Sequence, residues 1–230
     1  MIWELRHEFK IWLLIDIAKI PRSTYYYYSN QFDVRKMGIF CRVRMRKYNS
    51  YKGDVGKIAT NILERDFKAD KPNQKWVTDV TEFALFGIKL YLSPIIDLYN
   101  GEVVSYNLSR HTNIAQTTDM LEKAFAKISD NTNLILHSDQ GWQYQHKQYQ
   151  KMLVDKGIRQ SMSRKGNCLD SACAENFFSL LKTDLQYLQE FTSVEHFISE
   201  LTEYIDWYNN KGIRLKLDGL SPVKFRHKAA

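Results

Sequence analysis

The feature that most constrains the fold is a series of short strand patterns in the middle of the chain. Residues 76–85 and 88–98 have the apolar content and spacing of strands, and Phe86-Gly87 between them is typical of a turn. Asn100-Gly101 is a dipeptide typical of hairpin turns, and residues 102–108 follow it as a third strand. Three consecutive strands joined by tight turns predict an antiparallel meander.

After the meander the pattern becomes mainly helical. Residues 134–137 predict one short buried strand, and the helical segments around it are 113–128, 145–156, 172–185 and 194–209. A meander followed by alternating helices and strands is the order of a ribonuclease-H-like α/β domain. We therefore expect a mixed five-stranded sheet flanked by helices, with a small helical N-terminal extension.

The N-terminal extension has a helix pattern of its own. Apolar residues recur at helical spacing from Trp3 to Ile20, Pro21 ends the pattern, and Ser23 or Thr24 is a candidate start for a second helix. This order is similar to part of a DNA-reading helix-turn-helix, although helix pairs are common. The predicted divisions are a helix-turn-helix-like segment at 1–36, a basic linker at 37–72 and the main domain at 73–230.

The net positive charge of the chain, summed over its two parts, comes from its first third. Residues 1–73 contain fifteen Lys and Arg against eight Asp and Glu, whereas residues 74–230 contain eighteen of each. Segregated positive charge favours a polyanion partner, most often nucleic acid, although a solvated basic surface has the same composition. Arg42, Arg44 and Arg46 alternate with apolar residues, so an extended chain would place them on one side. They are predicted either to track a phosphate backbone or to keep an exposed linker soluble.

Composition also excludes several classes of protein. Cys41, Cys168 and Cys173 are an odd number at unrelated spacings, which argues against a disulfide framework and a paired zinc site. No apolar run is long enough to span a bilayer, and no signal-peptide pattern is present. We therefore expect a cytoplasmic protein with no membrane partner.

Three carboxylates lie at positions where a lone charge would be costly or directed towards a ligand. Asp79 is in the middle of a predicted buried strand, Asp139 follows the strand at 134–137, and Glu175 is in the first turn of a predicted helix. Each alone is most simply a surface charge. Together they have the oxygen ligands that Mg²⁺ prefers, and two such ions serve enzymes that break phosphodiesters.

The spacing and surroundings of these carboxylates match a known family. Asp79 and Asp139 are separated by fifty-nine residues, and Asp139 and Glu175 by thirty-five. The accompanying motifs are Trp-Val-Thr-Asp at 76–79, His-Ser-Asp-Gln-Gly at 137–141, Ser-Met-Ser-Arg-Lys-Gly-Asn at 161–167 and Glu-Asn-Phe-Phe at 175–178. From residue 73 to 226 the chain resembles the integrase-like catalytic core of insertion-sequence transposases, specifically the second-reading-frame product.

The resemblance implies a mechanism and partners. Asp79, Asp139 and Glu175 would hold two Mg²⁺ ions, with Mn²⁺ as a substitute, to cut a strand at the element's end and join its 3′-hydroxyl to target DNA. Lys182, seven positions after the glutamate, would meet a DNA phosphate, as would Arg164 and Lys165. A homo-oligomer on DNA, and a fusion or partnership with the product of an upstream reading frame, are also expected.

The chain departs from the family pattern at several positions. The stretch between Tyr28 and Cys41 is shorter than a full helix-turn-helix region, Gly212 stands where Arg is usual, and Ser171 replaces a usual Asn. Arg214 is a candidate substitute for the missing Arg. A simple metal-dependent nuclease and a catalytically inactive DNA-binding remnant therefore stay open as alternatives.

Two competing interpretations are set aside. Glu82 and Asp97 lie on predicted strands and could also ligate metal, but neither matches a catalytic position of the family. The tyrosines at 25–28 could suggest a tyrosine recombinase, but the Arg and His partners that such a nucleophile needs are not present in order. Packing or base stacking is the simpler use of these rings.

Overall fold

The protein is an α/β domain built on one mixed sheet. The structure, a computed structural model, describes residues 10–21, 24, 56–164, 172–186 and 190–228. The strands are β1 Lys75–Thr78, β2 Thr81–Leu85, β3 Ile88–Asp97, β4 Val103–Ser109, β5 Ile135–Ser138 and β6 Arg159–Met162. The helices are α1 Ile11–Ile17, α2 Ile114–Phe125, α3 Trp142–Gln145, α4 Lys147–Lys156, α5 Ala172–Leu181, α6 Val194–Asn210 and α7 Pro222–Lys228. A π-helical turn, Lys182–Gln186, continues α5, and a 3₁₀ turn, Leu215–Leu217, precedes α7.

Strands β1 and β2 are two parts of one strand. Both pair with β3 in antiparallel register, and the pairs Trp76 with Asp97 and Thr81 with Leu92 belong to one unshifted register. The strand order is therefore β4, β3, β1 with β2, β5, β6, where β1, β5 and β6 are parallel. This confirms the expected ribonuclease-H-like sheet, since six strands occupy five positions.

The two faces of the sheet bury separate apolar clusters. Val77 and Phe83 pack on one face with α5 and α6, and Trp76 packs on the other face with α2, α3 and α4. The alternation of Trp76 and Val77 between the faces is the two-residue period of a strand. Both faces are covered, so the central strands carry apolar residues on both sides.

Turns and helix boundaries follow local chemistry. Phe86 and Gly87 both have positive φ and join the paired residues Leu85 and Ile88, as a two-residue hairpin turn requires. The next hairpin differs from its prediction, because β3 ends at Asp97 and four residues, 98–101, connect it to Glu102. The helix predicted at 145–156 starts at Lys147 instead, where the preceding His146 accepts a hydrogen bond from the N–H of Gln148 and caps α4.

Helix α1 packs against the C-terminal part of the domain. The Trp12 ring lies 5.7 Å from that of Trp207 on α6, and Lys10 binds Glu200 and Glu203 at 2.8 Å each. Trp12 is only 6% exposed. The N-terminal helix therefore shares the apolar cluster of the α/β domain. The second helix of the predicted helix-turn-helix lies almost wholly outside the described residues.

The C-terminal elements are attached to the sheet by specific polar contacts. The Asn209 side chain donates to the Val103 carbonyl and accepts from its N–H, which joins α6 to β4. The Arg226 guanidinium on α7 binds the buried Asp97 carboxylate at 2.9 Å and Glu102 at 2.8 Å. These contacts hold α6 and α7 at the end of the sheet opposite to that where β5 ends.

Candidate active site

Asp79 and Asp139 lie side by side on adjacent parallel strands. The register pairs Val77 with His137, an offset of sixty residues, and the same offset places Asp79 beside Asp139. Adjacent strands are about 4.8 Å apart. Both residues lie just past the strand ends, two positions beyond the pair Val77 and His137, and α5 contacts β1 on the face that buries Val77. The β1 and β5 backbones thus bring together two acids that lie sixty positions apart.

The charged form of Asp79 is disfavoured by burial and by neighbouring acids. Burial is the main cause that raises the pKa of Asp79, to about 7, and the charges of Asp139 and Glu175 raise it further. One hydrogen bond, from the Val80 N–H to Oδ1 at 2.7 Å, acts in the opposite direction. The charges of two acids from other parts of the chain therefore act on Asp79, because like charges oppose its ionisation.

Asp139 is oriented by the glycine that follows it in the His-Ser-Asp-Gln-Gly motif. The Gly141 N–H donates to Asp139 Oδ1 at 2.9 Å, and burial raises the pKa of Asp139 against this bond. A Cβ on Gly141 would lie only 2.9 Å from the same oxygen. Sequence reasoning quoted the motif but missed the role of Gly141, which is to leave room for the carboxylate.

Glu175 approaches from the helix above the sheet. It is exposed and lies in the first turn of α5, whose buried residues Ala174, Phe177 and Leu181 pack in the same cluster as Val77. The apolar stripe of α5 fixes the helix on the sheet, while Glu175 stays on the solvent side of that contact. The charge of Glu175 adds to the causes that raise the pKa of Asp79.

Two buried tyrosines form the apolar boundary of the site. Tyr144 and Tyr149 are fully buried, with ring centroids 5.4 Å apart. Burial raises the pKa of Tyr144 first, and the charges of Asp79 and Asp139 raise it further. Their phenols therefore stay neutral. Their burial lowers the local polarity, and electrostatic interactions are stronger in surroundings of low polarity.

Lys182 lies beside the sheet at the start of the π-helical turn. Its ammonium is 5.7 Å from the centroid of the Phe83 ring, and burial lowers its pKa while the charge of Glu82 opposes that shift. The residue is half-buried. A cation held over an aromatic ring at the edge of a site keeps its charge available to an anion.

The other residues that were predicted or considered for the site lie in different parts of the chain. Arg164 is exposed, two positions beyond the end of β6. Arg42, Arg44, Arg46 and Lys165 lie outside the described residues. Among the set-aside ligands, Asp97 is bound by Arg226 at the other end of β1, and Glu82 forms an ion pair with Lys89 at 3.0 Å.

The carboxylates are suitable ligands for a divalent cation whose coordination shell is completed by other ligands. In the described part of the chain, no group of three or more His, Cys, Asp or Glu side chains is placed to hold a metal ion by itself. Mg²⁺ rarely uses such a cage, since one or two carboxylates, water and substrate phosphate complete its shell. The donor set is all oxygen, and the raised pKa of Asp79 shows a charge that a cation would stabilise. The residues present therefore fit Mg²⁺.

This fold is that of the integrase class of polynucleotidyl transferase cores. Integrase core domain models match residues 69–168 and 175–229. The HTLV-2 integrase catalytic core, solved with magnesium, aligns with 69% of this chain and 99% of its own at a TM-score of 0.57 and 18% identity. The BIV integrase core aligns with 68% and 95% at a TM-score of 0.52 and 17% identity.

The relatives by sequence are bacterial transposases. A protein of Escherichia coli named as the transposase InsK of insertion sequence IS150 is 41% identical, over 97% of this chain and 96% of its own. A transposase-like protein of Haemophilus influenzae is 50% identical over 83% and 88%, and the Escherichia coli transposase InsF of IS3A is 34% identical over 85% and 68%.

The chain belongs to the IS3 family of insertion-sequence transposases. It is a DNA transposase with an integrase-type catalytic core. Its alignment with InsK has 271 positions, so InsK contains at least 41 residues that have no counterpart among the 230 residues here. Among the described helices, each is too short or too polar to cross a bilayer.

Proposed function

We propose that Asp79, Asp139 and Glu175 are the metal ligands of a transposase that cuts DNA at the ends of its element and joins the freed 3′-hydroxyl to target DNA. The observation that carries the proposal is the register of β1 and β5, which places Asp79 beside Asp139. Glu175 adds a third charge from α5. Two Mg²⁺ ions, or Mn²⁺ in their place, complete the site.

When bound, the metal ions neutralise the phosphate, lower the pKa of water and stabilise the leaving oxygen. The chain's own residues provide the framework for that chemistry. The charges of both other acids act on Asp79, which would help to hold both ions, whereas Asp139 and Glu175 would each help to hold one. Gly141 keeps the Asp139 carboxylate oriented, so that little side-chain ordering is required when DNA arrives.

Lys182 is the proposed phosphate contact nearest to the triad. It is seven residues after Glu175, which is two helical turns and therefore the same side of the helix. Its position over Phe83 holds the ammonium near the sheet edge. Arg164, Lys165 and the arginines at 42, 44 and 46 are proposed to contact the DNA backbone further away.

The proposed substrates are the ends of the element and target DNA, bound by a homo-oligomer. A transposase must hold two DNA ends near one target, and one catalytic site per end is simplest with two or more copies of the chain. A product of an upstream reading frame, as a fusion or a partner, is proposed to supply the end recognition that the shortened N-terminal region lacks.

The test is incubation of the protein with labelled duplex that carries the ends of its own element. With Mg²⁺, we expect nicks at the 3′ ends of the element and joined products when target DNA is added. Asp139→Asn should abolish both, and Glu82→Gln should leave both intact. Equal cleavage by the Asp139→Asn protein would refute the proposal. Cleavage without any joining would instead identify a plain nuclease.

A further inference from the structure

The last twenty residues of the chain are strongly basic. Residues 211–230 contain six Lys and Arg and one Asp, a net charge of +5, whereas residues 74–210 contain twelve Lys and Arg and seventeen Asp and Glu, a net charge of −5. The net charge of residues 74–230 is therefore zero only because two segments of opposite charge cancel. Concentrated positive charge at one end of a negative body favours an anionic partner at that end.

Half of these cations are engaged within the protein. Arg226 binds the two buried carboxylates at the end of the sheet. Lys228 pairs with Asp218 at 3.3 Å, and the Arg214 guanidinium stacks on the Tyr208 ring at 4.0 Å. The Arg214 guanidinium also packs against Gly101, in the space that a Cβ there would occupy. Arg214 is therefore held by contacts within the protein.

The three other lysines face solvent. Lys211, Lys216 and Lys224 are exposed, and none forms a salt bridge with a residue that the structure describes. Holding like charges close together without counterions is unfavourable. Two of the three, Lys211 and Lys224, line the same pocket.

The pocket lies where three separate elements meet. Lys19 follows α1, Lys211 caps the C-terminus of α6, and Lys224 is on α7. The cavity has a volume of 330 Å³, near the lower end of the range of about 300–1,000 Å³ for ligand pockets. Asp16 is the single acid in its lining, so the formal charge of the lining is +2.

We propose that this pocket binds a backbone phosphate of duplex DNA, at a point away from the phosphodiester that is cut. Lysine ammonium groups suit a phosphate held by charge, without the paired geometry that reads a base. The polyanion is assigned as DNA because the chain is a DNA transposase, so the inference rests on the function above only for the identity of its ligand.

The position of the pocket excludes the cleaved phosphate as its ligand. Helix α7 is fixed to Asp97, which pairs with Trp76 at the start of β1. Asp79 is three residues further along that strand, about 10 Å away. The pocket therefore lies at the opposite end of the sheet from the triad. It would hold a second stretch of the same duplex or the DNA of a neighbouring copy.

The test is the salt dependence of DNA binding by the double variant Lys211→Gln/Lys224→Gln. Binding to a fluorescein-labelled duplex is measured by anisotropy from 50 to 300 mM KCl, in EDTA, so that catalysis plays no part. Each phosphate contact contributes about 0.9 to the slope of log K against log salt. We expect the slope to become shallower by about that amount and affinity at 100 mM salt to fall several-fold.

Two control variants make the result specific. Lys123→Gln/Lys151→Gln removes the same charge from exposed sites on α2 and α4 and should leave the slope unchanged. Lys211→Arg/Lys224→Arg keeps the charge and should retain the wild-type slope. The melting temperature of each variant shows whether it is folded. An unchanged slope in the folded glutamine variant, or an equal loss in the α2 and α4 control, would overturn the proposal.

The DNA-binding test is independent of the test of the active site. Asp139→Asn should bind the duplex with the wild-type salt slope, because its substitution is at the other end of the sheet. If that variant still cut DNA, the metal-site proposal would fail while the pocket result would stand. If inorganic phosphate bound the pocket but the DNA slope did not respond to its lysines, the assignment to DNA would be wrong.

Discussion

Asp79 and Asp139 each follow the last residue of one of two paired parallel strands, although sixty positions separate them in the chain. Parallel strands have their carboxyl ends at the same edge of a sheet, so a residue just past each strand end can share one ligand. The backbone hydrogen bonds that set the register therefore also set the spacing of the two acids. Site geometry in this transposase is a consequence of sheet geometry.

A buried carboxylate that serves as a metal ligand should lower the stability of the folded protein when no metal is bound. Asp79→Asn removes a charge that burial and two acids oppose, and the amide oxygen can still accept from the Val80 N–H. We expect the variant to gain about 1–2 kcal/mol of unfolding free energy at pH 8 in EDTA, since Asp79 is partly exposed. Urea unfolding followed by circular dichroism measures this.

Burial also raises the pKa of Asp97, but the matched substitution there should have the opposite sign because an arginine and two backbone N–H groups bind this carboxylate. Asp97 accepts from the N–H groups of Asn73 and Tyr99 and from Arg226, using both oxygens. An amide there would direct its own NH₂ at one of these donors. Asp97→Asn should therefore cost roughly 2–4 kcal/mol in the same urea experiment. Two variants that change stability in the same direction would contradict the distinction between a functional and a structural carboxylate.

The burial of Asp79 also predicts how the stability of the protein depends on pH. The pKa of Asp79 is about 7 in the folded protein and near 3.8 in the unfolded chain, so the folded state retains a proton that the unfolded state releases between those values. The contribution of this group to stability is therefore greatest below pH 4 and falls as pH rises towards 7. In EDTA, the stability difference between Asp79→Asn and wild type should grow over that interval. A difference that is constant with pH would show that Asp79 has no raised pKa.

Gly141→Ala should damage catalysis more than folding. The added Cβ would lie 2.9 Å from Asp139 Oδ1 and displace the carboxylate. A ligand moved by a few tenths of an ångström to 1 Å reduces rates by about 10- to 100-fold. The control is Gly87→Ala, which has a positive φ of 74° and no atom near its Cβ. That variant should lose about 1 kcal/mol of stability and retain the DNA-joining rate.

Helix α1 should contribute to the stability of the catalytic domain. Trp12 is buried against Trp207, whereas its neighbour Leu13 is 36% exposed. Trp12→Ala should cost about 3–5 kcal/mol, and Leu13→Ala should cost less than 1 kcal/mol. Denaturant unfolding of both variants is the measurement. Equal small effects would show that α1 is not part of the folded unit.

The sequence predicted the meander and the acids because both depend on local signals. Phe86-Gly87 and the strand patterns around it are short-range features, and the acid spacing is read directly from the chain. Strand β6, Arg159–Met162, was not placed, because two of its four residues are charged or amide side chains and its pairing with β5 is non-local. Asn209 is similar, since its bonds to Val103 span 106 positions.

The C-terminal basic segment was missed for a different reason. A sum over residues 74–230 is zero, so the positive end was cancelled by the acidic body. Only the fold brings Lys19, from the first helix, together with Lys211 and Lys224. Charge should therefore be counted over segments that fold as elements, rather than over whole domains.

The most direct test of the account is Mn²⁺ binding, measured by electron paramagnetic resonance of the protein with a DNA end. We expect wild-type protein to take up Mn²⁺, Asp79→Asn, Asp139→Asn and Glu175→Gln each to bind it at least tenfold more weakly, and Glu82→Gln to bind it normally. Wild-type Mn²⁺ affinity in all three triad variants would contradict the claim that these side chains share metal ions.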